Sequence, residues 1–525
     1  MRTKFTVLLL LAFFIGTVAV SAQVEKIIEP NVGFLDDLIV GDTAADGTRL
    51  SDIYVLRRDA NYLTQGPFEN RGWKLHIKAE DGTGKLPYVQ TFAQEDGSIY
   101  AHMITLYGDG EFENIYFDCQ GEDPAARPAG RVFRGETEGG KLDVRGCTFA
   151  NCGQNGVMLP KATEHCIIDN CLFVNQGRFA FWDYGNGRVF DCRDSEINLF
   201  SLTNSTFINN VDRIVRHRGG SGVMKEVIVD HNTIINSMCY HGFMELGNIG
   251  TSVTITNNLM VDCMGLGSDS TDATRLSELD AHGEVDGAGN PRMVWIGSIP
   301  NDVTSWDVSS NIYTVTSAQQ AWYESTGFVD EGPKWILTEH IKGKLGSGAS
   351  TAWMKKDFTL PDIPATPVDF YAYYWSPTGS DKQKQTTAEV DYDTKSTDYW
   401  LNTLDCKLET TDLDFRGSDG TPIGDPRWGS TVTGISQFRA NGIEMVSYPN
   451  PVTDQFTLRF TLDEASTVGI DIYDLTGKSM RRIESVRYGA GENSIVIQSE
   501  NLNTGIYILK MTAGSQYGMM KISVQ

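Results

Sequence analysis

Gly146-Cys147-Thr148-Phe149, Asn170-Cys171-Leu172-Phe173, Asn204-Ser205-Thr206-Phe207, His231-Asn232-Thr233-Ile234, Asn257-Asn258-Leu259-Met260 and Ser310-Asn311-Ile312-Tyr313 are six copies of one short pattern. Consecutive copies stand roughly 25–35 residues apart, and the last step is about twice that, a spacing that marks a stacked architecture in which no unit buries its apolar face alone. Each copy is strand-like and has no helical period, so the units are expected to stack as rungs of a right-handed parallel β-helix.

Side chains of a strand alternate between its two faces. Two places after each anchor come Phe149, Phe173, Phe207, Ile234 and Met260, expected as a column down the interior. Four places after it come Asn151, Asn175, Asn209, Asn236 and Asp262. One place before it come Gly146, Asn170, Asn204, His231 and Asn257. Asparagine tolerates left-handed backbone, and its amide can bond to the same residue on the next rung, so both columns read as corners of the coil.

Outward from the repeat, residues 23–140 alternate in stretches such as Ile53-Tyr54-Val55-Leu56 and read as the first turns and the N-terminal cap, giving a solenoid over 23–320. From 321 to 428 the repeat fades and aromatics gather in Phe370-Tyr371-Ala372-Tyr373-Tyr374-Trp375, read as packing of a terminal cap rather than as a sugar-stacking platform. Residues 429–443 are polar and read as a linker. Residues 444–525 change in kind. Short alternating strands (Phe456, Leu458, Phe460; Val468, Ile470, Ile472; Tyr507, Leu509, Met511) are separated by turn signals, the pattern of a small β-sandwich.

At the other end, Met1-Arg2-Thr3-Lys4, an apolar run from Phe5 to about Val20 and then Ser21-Ala22 have the form of a cleaved secretory signal over residues 1–22. No later stretch is apolar for long enough to span a bilayer. The formal net charge is −24, and loss of Arg2 and Lys4 makes the rest more negative still. Such a surface repels nucleic acid and anionic membranes. It also repels an acidic polysaccharide unless a local basic patch or bound Ca²⁺ intervenes. Nine cysteines, an odd number, argue against a complete disulfide framework. There is no CxxC pair, no HExxH and no clear aspartate triplet for Ca²⁺, so a metal has no supporting motif.

The opening Tyr448-Pro449-Asn450-Pro451, the turn Asp474-Leu475-Thr476-Gly477-Lys478 and the closing Leu502-Asn503-Thr504-Gly505-Ile506-Tyr507-Ile508-Leu509-Lys510 resemble the C-terminal sorting domain of type IX secretion cargo. The resemblance implies the type IX machinery as a partner and a secreted or surface-exposed destination. The repeat region resembles, at the level of fold, the pectate-lyase-like and chondroitinase-like β-helix lyases and hydrolases. That likeness implies an extracellular polysaccharide as substrate and a chain acting as a monomer.

Each coil has a strand after the asparagine corner whose outward residues vary sharply. Aligned from the corners, Asp183, His217 and Glu245 come close to one column, with Arg216 beside them. Trp182, Tyr184, Arg218 and Arg213 flank the group as candidate substrate-binding residues. For β-elimination, His217 suits the base and Arg216 or Arg218 the group that holds a sugar carboxylate. For hydrolysis, Asp183 and Glu245 are the available carboxylate pair. A non-catalytic glycan-binding or structural surface protein is the alternative, and a solvated, salt-bridged strand end is the plain structural reading of the run Arg213 to Arg218.

Overall fold

The computed structural model describes residues 23–121, 126–177, 186–267, 294–326, 336–375, 399–432, 443–474, 477–500, 502–514 and 516–525. It divides into two compact units, one of residues 1–406 and 417–429, the other of residues 407–416 and 430–525.

The first unit is a parallel β-helix. Its chain passes in turn through a first sheet of ten strands, a second of ten and a third of eight, all paired in parallel with the coil before and the coil after. The repeated pattern is the corner between the first and second sheets together with the strand that follows. Asn170, Asn204, His231, Asn257 and Ser310 all take left-handed backbone, with φ of 53, 51, 52, 58 and 56°. Gly146 fills the same corner at φ 64°, and a β-carbon there would collide with Asn114 Oδ1 of the previous coil. This rung therefore carries glycine where its successors carry asparagine, histidine or serine.

The second asparagine column is the corner into the third sheet. Asn151, Asn175, Asn209 and Asn236 have φ of 56, 55, 56 and 54°. Their amides form a ladder: Asn175 donates to Asn151 at 3.0 Å, Asn209 to Asn175 at 3.1 Å and Asn236 to Asn209 at 3.1 Å. Between the corners the aromatic column lies inside as expected. Phe149 stacks on Phe173 with centroids 4.4 Å apart and planes 9° apart, and Phe173 on Phe207 at 5.1 Å and 18°. Burial of these rings and the neighbouring aliphatics is the main force that holds coil on coil.

Residues after 315 cover part of the outer surface of the coils. In the helix Val368–Trp375, Phe370, Tyr371 and Tyr374 pack against Val211, Met238, Tyr240 and Leu266. Residues 417–429 run along the second sheet: Asp425 N–H donates to Thr233 Oγ1 at 2.9 Å, and Trp428 Nε1–H to Thr206 Oγ1 at 2.8 Å.

The second unit contains two antiparallel sheets. Glu444–Tyr448, Gln455–Leu462 and Gly491–Gln498 form one, and Ser479–Tyr488, Ser466–Asp474, Gly505–Ala513 and Gln516–Val524 the other. Its own core holds Phe456, Leu458, Phe460, Ile470, Ile472, Leu509 and Met511.

Candidate functional site

The variable strands identified from the sequence belong to the third sheet. Their register is set by ladder pairing: Arg134, Met158, Asp191, Arg216 and Glu245 follow one another up an outward column. Phe133, Val157, Phe190, Val215 and Met244 form the inward column beside it.

This register corrects the expected column. Arg216, not His217, stands beside Glu245, and His217 pairs with Leu246 instead. One residue along a strand turns a side chain to the opposite face, so His217 points into the coil and is wholly buried. Its Nδ1 accepts the Gly219 N–H at 3.0 Å, and burial pushes its pKa down, leaving a neutral imidazole. Held there, it cannot serve as a base that a polymer touches. The third-sheet strand of the preceding coil is Arg188–Asp191, so the carboxylate beside Arg216 is Asp191. Asp183, Trp182 and Tyr184 lie outside the described residues. Arg218 is 44% exposed and pairs with Asp194 at 2.5 Å, at the edge of the group.

What the sheet does assemble is a dehydrated ionic network. Arg216 lies 3.3 Å from Asp191 through Nη1 and 3.5 Å from Glu245 through Nε. Arg188 reaches Asp191 at 3.2 Å and Asp212 at 3.3 Å. Arg213 sits against Glu245 and lies 3.5 Å from Asp212, and His241 Nδ1 is 3.0 Å from Asp212. Arg188, Asp191, Asp212, Arg213, Arg216, His241 and Glu245 are all buried. Burial opposes the charge on Asp191, but the Arg188 and Arg216 guanidinium groups outweigh it and hold its pKa below the usual carboxylate range. Arg213 and His241 do the same for Asp212, whose pKa is lower still. The sequence offered a faint signal for Asp191 and Arg188 in their three-residue spacing. Asp212 and His241 come together only through coil stacking.

At the earlier end of the sheet the balance is different. Arg131 is 6% exposed, and among the described residues its polar contacts are His102 Nδ1 at 2.8 Å and Gln154 Oε1, with no carboxylate. Burial and the nearby Arg134 charge bring its pKa down to about 10. His102, half-buried beside the Arg131 charge, has its pKa pushed down to about 4 by desolvation and that charge and accepts as a neutral ring. Arg134, which pairs with Glu136, and Arg193 form a more exposed rim at 30% and 42%. Among the described residues, six guanidinium groups (Arg131, Arg134, Arg188, Arg193, Arg213, Arg216) meet four carboxylates (Glu136, Asp191, Asp212, Glu245) on this face. In a chain of net charge −24, Arg131, Arg134 and Arg193 thus gather three guanidinium groups at this end of the sheet.

One group of potential metal ligands, His76, Glu111 and Glu113, lies on the first sheet with ligand atoms within 4.8 Å of one another. Lys74 already pairs with Glu111, and His76 Nε2 lies 2.9 Å from Glu113, so these groups have partners within the sheet. Among the described residues of the third-sheet network, arginines occupy the places next to the carboxylates.

Residues 446–525 match the family model of the secretion system C-terminal sorting domain. The chain is therefore exported, through the type IX route, to the cell surface or the extracellular space. The sorting domain corresponds to the two antiparallel sheets of the second unit. No helix among the described residues is long and apolar enough to cross a membrane. No curated protein matches the chain.

Proposed function

We propose that the solenoid engages an extracellular polysaccharide bearing carboxylate groups, along the third sheet, in the manner of the pectate-lyase-like β-helix proteins. The observation that carries this reading is the cationic end of that sheet: Arg131, buried with no carboxylate in contact among the described residues, behind the partly exposed Arg134 and Arg193. A guanidinium presents two parallel N–H groups to a carboxylate, a geometry that lysine cannot match. Arg134 and Arg193, which keep part of their surface in solvent, are the groups that reach a sugar acid, with Arg131 adding its charge from behind.

Between the two chemistries, elimination is favoured over hydrolysis. A hydrolase needs one carboxyl group protonated to deliver a proton to the leaving oxygen. Asp191 is held ionised by its arginines, and Glu245 is clasped by Arg213 and Arg216. Elimination needs the sugar carboxylate neutralised first, which arginine supplies. With His217 turned inward, the proton-abstracting group is a residue other than His217. A glycan-binding protein without turnover is the second reading, and that inward turn favours it.

A panel of polysaccharides separates these readings. Elimination releases new reducing ends together with ultraviolet absorbance from unsaturated uronides. Hydrolysis gives reducing ends alone, and a pure binder gives neither while retaining the polymer. Failure to cleave or retain any carboxylate-bearing chain contradicts the proposal.

A further inference from the structure

Nine cysteines are distributed over the described solenoid, and all are buried. Five of them, Cys152 included (to Ala150 O at 4.0 Å), donate to a backbone carbonyl. Cys147 Sγ–H donates to Arg145 O at 3.5 Å, Cys171 to Asp169 O at 3.3 Å, Cys192 to Arg216 O at 3.3 Å and Cys263 to Val261 O at 3.9 Å. Each thiol has thus settled on a backbone carbonyl, the ordinary arrangement for a small buried hydrophobe with a weak donor.

Cys119 is different. Its sulfur faces two other sulfurs, Cys152 Sγ at 3.3 Å and Met103 Sδ at 3.8 Å. Cys119 and Cys152 stand on neighbouring coils at the same corner, just past the paired residues Asp118 and Ala150. The backbone fixes their approach: Cys119 N–H donates to Ala150 O at 3.0 Å, Ala129 N–H to Cys119 O at 2.8 Å and Gly153 N–H to Ala129 O at 2.9 Å. A sulfur–sulfur bond is ~2.05 Å long, so a side-chain movement of a little over ~1 Å closes the gap.

We propose that Cys119 and Cys152 are joined by a disulfide in the exported protein, a staple between two successive coils next to the cationic end of the third sheet. The export route takes the chain out of the reducing cytoplasm into compartments where such bonds persist. The oxidant is a disulfide-bearing thiol oxidoreductase or a small-molecule disulfide outside the cytoplasm. The thiolate of one cysteine attacks the donor's disulfide and forms a mixed disulfide, and the second cysteine displaces the donor as a dithiol. Two protons and two electrons leave the pair and appear on the reduced donor, so the exchange balances. Burial raises the Cys119 thiol well above its ordinary pKa in the finished fold. Exchange requires thiolate, so bond formation precedes closure of the coil.

The test uses the full-length chain recovered after export. It is denatured without reductant in the presence of a maleimide and weighed intact, then digested without reduction. Of nine cysteines, two joined leave seven, so seven adducts are expected, rising to nine after reduction, with one peptide pair linking Cys119 to Cys152. No cysteine lies beyond Cys406, so removal of the sorting domain does not alter the count. The variant Cys152→Ser is expected to carry eight adducts without reductant, and its melting should be insensitive to reductant where that of the wild type is not. Nine adducts on the unreduced wild type, or a linkage between any other pair, overturns the proposal.

Discussion

The first and third sheets of the solenoid are built on the same rungs, yet their outward faces obey different electrostatics. On the first sheet Lys78 pairs with Glu25 at 2.6 Å, Arg145 with Asp143 at 2.9 Å and Lys225 with Glu196 at 2.8 Å, and these side chains remain in contact with water. Such pairs contribute little, because solvent already satisfies both partners. On the third sheet Arg188, Asp191, Asp212, Arg213, Arg216 and Glu245 have lost their water and depend on one another. Buried charges are costly to assemble and costlier to leave unpaired. A scaffold that could place polar groups harmlessly in solvent, as its first sheet does, has closed its third sheet over a network of arginine and carboxylate. That contrast is the reason for placing function there.

The largest expected effect concerns the two units. Truncation before Tyr448 should leave the solenoid folded, because its core is separate from that of the sorting domain, but retained inside the cell. Appearance of the truncated chain in the medium at full-length levels would contradict the role of the sorting domain. Loss of the solenoid's cooperative melting would instead contradict the separation of the cores.

Next come substitutions that set one face against the other. Glu245→Ala strands Arg213 and Arg216 without their shared carboxylate, and a loss of about 3–5 kcal/mol in unfolding free energy is expected. Lys225→Ala on the first sheet should cost less than ~1 kcal/mol. Denaturant unfolding of both variants measures the difference, and equal losses would erase the distinction between the faces.

Acid provides a gentler probe. His102 is depressed to about 4 on folding, so the unfolded chain binds its proton more readily. Its contribution is complete above the unfolded value of ~6.5 and is lost as pH falls from there toward the folded value. Asp191 and Asp212, depressed below the ordinary ~3.9, keep their contribution above that value and lose it as pH falls through their folded pKa. Melting temperature should therefore decline between about pH 6.5 and 5 in the wild type and decline less in His102→Gln. Parallel curves would mean that His102 is not held neutral by burial and Arg131.

The fold was legible because its corners are chemically specific. Asparagine in left-handed backbone, repeated on successive coils, announces both the turn and the stacking, and the phenylalanines two places on locate the interior. The site was harder to read. The coil between Cys171 and Ser205 is the longest of the consecutive ones, so counting from its corner reached Asp183 when the strand of that coil is Arg188–Asp191. In the next coil the count was off by one residue, enough to exchange Arg216 for His217. Arg213 and Arg216 stand out because a dense charged run is visible in one dimension, and Glu245 was placed beside them by counting from its own corner. The partnership of Asp212 with His241 spans 29 residues and arises only when coils are stacked. Burial of the network was invisible for a related reason: it depends on what lies over the sheet, and a strand's own sequence carries no record of that.

The central claim is that the cationic face of the third sheet, and not the charge of the molecule at large, receives a carboxylate-bearing polysaccharide. Its most direct test is the affinity of two double variants for a polyuronate that the wild type retains. Arg134→Gln with Arg193→Gln removes two positive charges from the rim of the third sheet, and Lys78→Gln with Lys225→Gln removes two from the first. The first pair should weaken binding by about tenfold or more, the loss expected when charge-assisted hydrogen bonds disappear, and the second should leave it nearly unchanged. Equal weakening by both pairs, or none by the first, would contradict the claim.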